Sequence, residues 1–225
     1  MSKKSDNENI NWELIDEVVD KIVAEDDAEL DRIMDELNEA EVLDEKEIPE
    51  VTKIYFDMDG VLADFERGVR ELCGMEPPKQ NEEVDPEVDE EMWKRIKEVD
   101  HFYDKLEVMD GARALFESVF NKYRERCEIL TGIPKEKRGI TTAAEDKINW
   151  MRRLLSRDIK INIVYKEDKP KFCTGKGCIL IDDRKQNIID WKEMGGSGFM
   201  HVEAGNTLYR LNELGVIDDF RGDVY

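Results

Sequence analysis

The sequence predicts an α/β domain on a mainly parallel sheet, preceded by an acidic helical extension. Three observations predict it. From residue 51 onward, short β-branched or aromatic runs alternate with segments of helical period. Three of those runs end in acids or a threonine. The acidic excess is concentrated ahead of the first run: residues 1–50 hold 19 acidic and 5 basic side chains of a chain whose net charge is −21. A length of 225 residues suits one domain with a smaller appendage.

The elements follow in order. Trp12, Ile15, Val18, Val19, Ile22 and Val23 recur at helical spacing, and so do Leu30, Ile33, Met34 and Leu37. Residues 1–50 are therefore expected to form two amphipathic helices that dock on the main domain or engage a protein partner or a second copy. Pro49 closes this part. Residues 51–56 read as a buried strand. Residues 66–107 read as a mostly helical insert, broken at Pro77-Pro78 and by a polar loop to Pro86, with a helix near 91–99. A helix is expected over 111–124, a strand over 127–130, and a helix over 141–157 with Ile148, Met151 and Leu154 on one face. Strands are expected over 161–165, 178–181 and 198–202. The expected organisation is thus an extension, residues 1–50, and a domain, residues 51–225.

The charge balance argues against coating nucleic acid or an anionic membrane. No apolar run reaches the roughly 18–20 residues of a spanning helix, and no apolar leader is visible, so a cytoplasmic protein with reduced thiols is expected. Cys173 and Cys178 lack partners at zinc-site spacing, and His201 reads as a structural histidine.

Strand one runs into Asp57-Met58-Asp59-Gly60-Val61, strand two into Thr131-Gly132, and strand four into Asp182-Asp183. Ligands of open parallel sheets bind beyond the carboxyl ends of the strands, so three distant segments deliver their groups to one edge. Two acids flanking one residue repel each other unless a cation joins them.

The strings DMDGVLADF, ILTG and LIDD, in that order and each after a predicted strand, resemble the first, second and fourth motifs of the haloacid-dehalogenase (HAD) superfamily of phosphatases. The segment from His101 to Glu107 and on to Ala112, Lys147-Ile148-Asn149-Trp150, Ile181-Asp182-Asp183-Arg184 and the Gly195-Gly196 loop are similar to the 5'(3')-deoxyribonucleotidase family, over roughly residues 52–205. Thr131-Gly132-Ile133-Pro134 departs from that family's Thr-Ser-Pro, and the acidic stretch 81–90 is extended. The resemblance implies a Rossmann-like core with a small helical cap at about 66–107. It also implies a Mg2+-dependent phosphomonoesterase that hydrolyses nucleoside monophosphates through an aspartyl-phosphate.

It further implies residue roles. Asp57 is the nucleophile and Asp59 the general acid and base. Mg2+ is held by Asp57, Asp59 through its carbonyl, and the Asp182-Asp183 pair, with Asp183 the favoured direct ligand. Thr131 and Gly132 bind phosphate. Lys169 and Lys147 compete for the fixed cation beside it; Lys169 is favoured, since Lys147 also reads as a solvated helix lysine. Phe65 and Trp93 would contact a nucleoside, with Phe102 beside them or in the cap core. The alternatives are the same chemistry on another small phosphate ester, or a non-catalytic adaptor working through residues 1–50.

Overall fold

A computed structural model describes residues 50–79, 81 and 83–218. The expected helices of residues 1–50 lie outside the described residues, apart from Glu50.

Five strands form one wholly parallel sheet: β1 (Lys53–Phe56), β2 (Cys127–Gly132), β3 (Lys160–Val164), β4 (Cys178–Asp182) and β5 (Ser197–Met200). Their order across the sheet is β3-β2-β1-β4-β5. The chain therefore builds outward from β1 on one side, then crosses to build outward on the other. That reversal leaves a crevice at the carboxyl ends of β1 and β4. Six helices are described: α1 (Phe65–Cys73), α2 (Pro86–Glu98), α3 (Ala112–Tyr123), α4 (Ala143–Leu154), α5 (Lys185–Glu193) and α6 (Ala204–Glu213).

Strand side chains alternate between faces, and both faces are buried. Ile54, Phe56, Ile129, Ile179 and Ile181 enter the larger core with Leu115, Phe116, Trp150 and Leu208. Tyr55, Leu130, Cys178 and Leu180 enter the smaller core with Ile188 and Trp191. The register aligns Phe56 with Ile129 and Ile181, so the residues after β1 emerge level with the ends of β2 and β4.

The expected strands are all present, shifted by a residue or two. Helix α2 begins earlier than the expected 91–99. Asp85 caps it by accepting from the Glu87 amide at 2.8 Å, and Pro86 opens the first turn. Helix α4 is rotated from its expected face. Ile148 is exposed, whereas Asp146, Lys147, Trp150 and Met151 are buried. Two charged residues take the inner face in place of an isoleucine: Lys147 reaches Asp59 and Thr131, and Asp146 reaches His101 and Thr142.

Between β1 and α3 lie α1, α2 and a 3-10 turn at Tyr103–Lys105. Phe65, Phe102 and Tyr103 are buried there, and Trp93 is half-buried against them.

Candidate active site

The backbone turns sharply after β1. The amides of Leu62 and Ala63 both donate to the Met58 carbonyl at 2.8 Å, and Gly60 adopts φ +75°. A Cβ on Gly60 would lie 1.7 Å from Asp183 Oδ2, so only glycine leaves room for that carboxylate. The turn keeps Asp57 and Asp59 at the crevice while Met58 is buried in the core.

Asp57, Asp182 and Asp183 each offer an oxygen within 4.8 Å of the others, and all three are buried. The two members of the Asp pair differ sharply. Asp182 is saturated: its oxygens accept from the Arg184 amide (2.9 Å), from Asn187 Nδ2 (2.9 Å to each oxygen) and from Lys169 Nζ (2.6 Å). Asp183 Oδ1 is buried with no hydrogen-bond partner, and so is Asp59 Oδ1. Burial pushes the Asp183 carboxyl well above the ordinary carboxylate range, and the charges of Asp182 and Asp57 push it further. A divalent cation fits this donor set: it satisfies an orphaned oxygen and relieves the repulsion.

Two buried lysines flank the acids. Lys169 Nζ contacts Asp57 Oδ2 at 2.9 Å and Asp182 Oδ2 at 2.6 Å. Burial alone would lower its pKa, but the carboxylates of Asp182 and Asp57 outweigh that and raise it. Lys147 Nζ contacts Asp59 Oδ2 (2.6 Å), Thr131 Oγ1 (2.9 Å) and the Gly132 carbonyl (2.8 Å). It is fully buried, so the solvated reading of Lys147 does not hold. The two lysines do not compete for one place. One serves Asp57 and Asp182, the other Asp59 and Thr131.

The Asp59 carboxyl is raised, first by burial and also by the Asp57 charge, against the pull of Lys147. Its side chain keeps 26% of its exposure. A carboxyl held up in this way, yet reachable, can give and take a proton. Thr131 is fully buried at the end of β2, and its hydroxyl accepts from Lys147, leaving its own hydrogen to donate. Gly132 presents its carbonyl to Lys147 and pairs with Val164 of β3.

An aromatic cluster adjoins this centre. Phe65 packs against Trp93 (6.3 Å between ring centroids), Phe102 (5.7 Å) and Tyr103 (6.3 Å). Phe102 is only 1% exposed and lies edge-on to Phe65, in the core of the insert, whereas Trp93 keeps an accessible part.

Several residues the sequence reading missed belong here. Tyr103 lies under Lys147 Nζ at 4.6 Å from its ring centre. Asn187 orients Asp182 from the first turns of α5. Arg138, from the turn after β2, pairs with Asp89 and Glu90 of α2 and lies over the Trp93 ring at 5.6 Å. Asn81 donates to the Asp183 carbonyl at 3.1 Å and accepts from the Lys185 amide at 2.8 Å. Only Tyr103 carried a usable signal, its place beside Phe102 in an aromatic pair.

A family model described as "5' nucleotidase, deoxy (Pyrimidine), cytosolic type C protein" matches residues 50–206. A curated relative from Vibrio phage KVP40, named "Putative 5'(3')-deoxyribonucleotidase", is 30% identical over 134 residues, which span 60% of this chain and 67% of the relative. The solved structure of a hydrolase from Pseudomonas syringae is 15% identical, with a TM-score of 0.43 over 71% of this chain and 89% of that one.

Proposed function

The chain belongs to the family of the deoxy (pyrimidine), cytosolic type C 5' nucleotidases and is a hydrolase of the nucleotidase kind, and from that premise we propose that it is a Mg2+-dependent phosphomonoesterase acting on deoxynucleoside and nucleoside monophosphates. The observation that carries the reading is the pairing of each acid with its own buried lysine, Asp57 with Lys169 and Asp59 with Lys147. One pair serves attack at phosphorus; the other serves proton transfer and phosphate binding.

In the proposed reaction a carboxylate oxygen of Asp57 attacks phosphorus. The new bond is Asp57 oxygen to phosphorus, and the bond that breaks joins phosphorus to the ester oxygen. Asp59, whose carboxyl burial holds above its ordinary range against the pull of Lys147, gives a proton to the departing alkoxide. The resulting Asp59 carboxylate then takes a proton from water, whose oxygen attacks phosphorus and releases phosphate and free Asp57. The Thr131 hydroxyl would donate to a non-bridging oxygen, while Lys147, whose three N–H groups go to Asp59, Thr131 and the Gly132 carbonyl, holds these groups in place and adds its positive charge beside the phosphoryl group. Asp57, Asp183 and the carbonyl of Asp59 would hold Mg2+, which offsets the mutual repulsion of carboxylate and phosphoryl group. Asp182, with its oxygens already satisfied, supports Lys169 instead.

Phe65 and Trp93 would present the apolar wall a nucleoside needs, backed by the buried rings of Phe102 and Tyr103, with α1 and α2 as a cap over the crevice. That wall favours a nucleotide over a sugar phosphate. Residues 1–50 would engage a protein partner or a second copy. No helix among the described residues is long and apolar enough to cross a membrane. The proposed compartment is the cytoplasm, whose reducing conditions suit the free thiols of Cys73, Cys127, Cys173 and Cys178.

The test is phosphate release with Mg2+ from a panel of deoxyribo- and ribonucleoside monophosphates, with sugar phosphates beside them. Selective release from nucleotides, abolished by EDTA and in a folded Asp57→Asn protein, is expected. Preference for sugar phosphates would refute the nucleotide assignment, and wild-type rates in Asp57→Asn would refute the nucleophile.

A further inference from the structure

One charged contact near the site takes no part in the reaction above. His101 adopts φ +52°, a left-handed conformation uncommon outside glycine, for which asparagine, aspartate and histidine are the commonest other residues. Its Nδ1 lies 2.7 Å from Asp146 Oδ1. Asp146 is fully buried on α4 and is otherwise bonded to the Thr142 hydroxyl at 2.8 Å. Its other support is the N-terminal turn of α4, so the imidazole is the one side chain that can offer this carboxylate a full positive charge among the partners named.

The contact joins two parts of the site. On one side, His101 is followed by Phe102 and Tyr103, whose rings pack on Phe65. On the other, Asp146 is followed by Lys147, whose ammonium faces Asp59, Thr131 and the Tyr103 ring. The same helix holds the same segment twice more: Trp150 Nε1 donates to the Leu106 carbonyl at 2.7 Å, and Arg153 pairs with Asp104 at 2.8 Å. Residues 146, 150 and 153 lie on one helical face. Of these three ties, only the one at the site end contains a group that titrates near neutrality.

We propose that His101 is a positioning residue whose protonated pairing with Asp146 seats Phe102 and Tyr103 against Lys147, so that phosphate and nucleotide binding weaken as His101 loses its proton. The inference rests on the nucleotidase reading for its substrate. The charged groups facing the imidazole are Asp146 and Glu145 from α4 and Asp100 from its own segment, whose Oδ1 is 3.8 Å from Nε2. All three are acidic. The hydrogen bond to Asp146 and these charges raise the histidine's pKa above its ordinary value. A neutral imidazole can still donate through Nδ1, so deprotonation weakens the tie without abolishing it.

The test uses the full chain with Mg2+ and two variants. His101→Asn tolerates the left-handed backbone and can donate to Asp146, but it does not titrate. His101→Gly accepts the backbone and removes the pairing. In the wild type, KM for a nucleotide should rise about two- to fivefold more between pH 6 and 8.5 than in His101→Asn, with kcat moving much less. His101→Gly should show the weakened KM at every pH. The substrate's own second ionisation is common to all three proteins and cancels in the comparison. Calorimetric binding of inorganic phosphate across the same pH range gives a second readout. Coincident KM profiles and coincident phosphate affinities in wild type and His101→Asn overturn the proposal while leaving the nucleotidase reading intact. Wild-type-only pH dependence of phosphate binding, without nucleotide hydrolysis, supports the positioning role and overturns the nucleotide assignment. Absence of both phosphate binding and hydrolysis overturns both.

Discussion

Replacing Gly60 by alanine should damage metal binding before it damages the fold. Two costs follow from the geometry. An alanine held at φ +75° is strained by about 1–2 kcal/mol. Its Cβ would also stand 1.7 Å from Asp183 Oδ2, where side-chain Cβ atoms essentially never approach closer than 3.0 Å, so the carboxylate must retreat by about 1.3 Å. The new Cβ would also stand 2.5 Å from Asp183 Cγ, so the whole carboxylate must shift, and its Oδ1 has no hydrogen-bond partner to oppose that shift. The strain is thus relieved at the ligand rather than in the core. A misplacement of about 1 Å in a catalytic constellation costs on the order of 100-fold in rate. The Mg2+ concentration for half-maximal activity should rise about 10–100-fold, while the melting temperature falls by a few degrees. The assay is a Mg2+ titration of phosphate release, with Mg2+-induced thermal stabilisation as a second measure. A Gly60→Ala enzyme with wild-type Mg2+ dependence would refute the assignment of Asp183 as a direct ligand.

Two further predictions concern buried charge. Lys147→Met strips partners from Asp59, Thr131 and the Gly132 carbonyl at once; kcat should fall about 10²–10³-fold and stability by about 3–5 kcal/mol, and activity within tenfold of wild type in steady-state assays would sink the role given to Lys147. Burial pushes the His201 imidazole down to about 4 from 6.5, with Nδ1 2.9 Å from the Thr207 hydroxyl. The unfolded chain therefore takes up a proton first as pH falls, so His201 contributes no penalty above about pH 6.5. Stability is lost progressively toward pH 4, by about 3 kcal/mol in total. Denaturant unfolding of wild type and His201→Gln from pH 7 to pH 4 should show that difference in slope, and parallel curves would contradict it.

The strands and their acidic ends were legible because a short apolar run followed by a polar turn is a local signal. The sequence could be read for where β1, β2 and β4 stop, and a parallel sheet brings those stops together. Lys147 was not legible in the same way. Hydropathy assigns a lysine to the wet side of a helix, and Ile148 to the dry side, yet the site reverses both. The division between Asp182 and Asp183 was equally hidden, since adjacent identical residues differ only through Asn187, Arg184 and Lys169, which tertiary folding supplies. Arg138 and Asn81 act across the insert and the core, and contacts of that range leave no local pattern.

The order of strands carries a consequence for how the enzyme comes into being. β1 and β4 are neighbours in the sheet, yet more than 120 residues separate them in the chain. A chain growing from its N-terminus has Asp57 and Asp59 long before Asp183 exists, and loop closure over such a distance is among the slow events of folding. Until β4 slots in beside β1, Asp57 has neither Asp183 nor Asp182 beside it. Pairing of β4 with β1 is thus the event that completes the acidic cluster, and β5 only adds to the outer edge of β4.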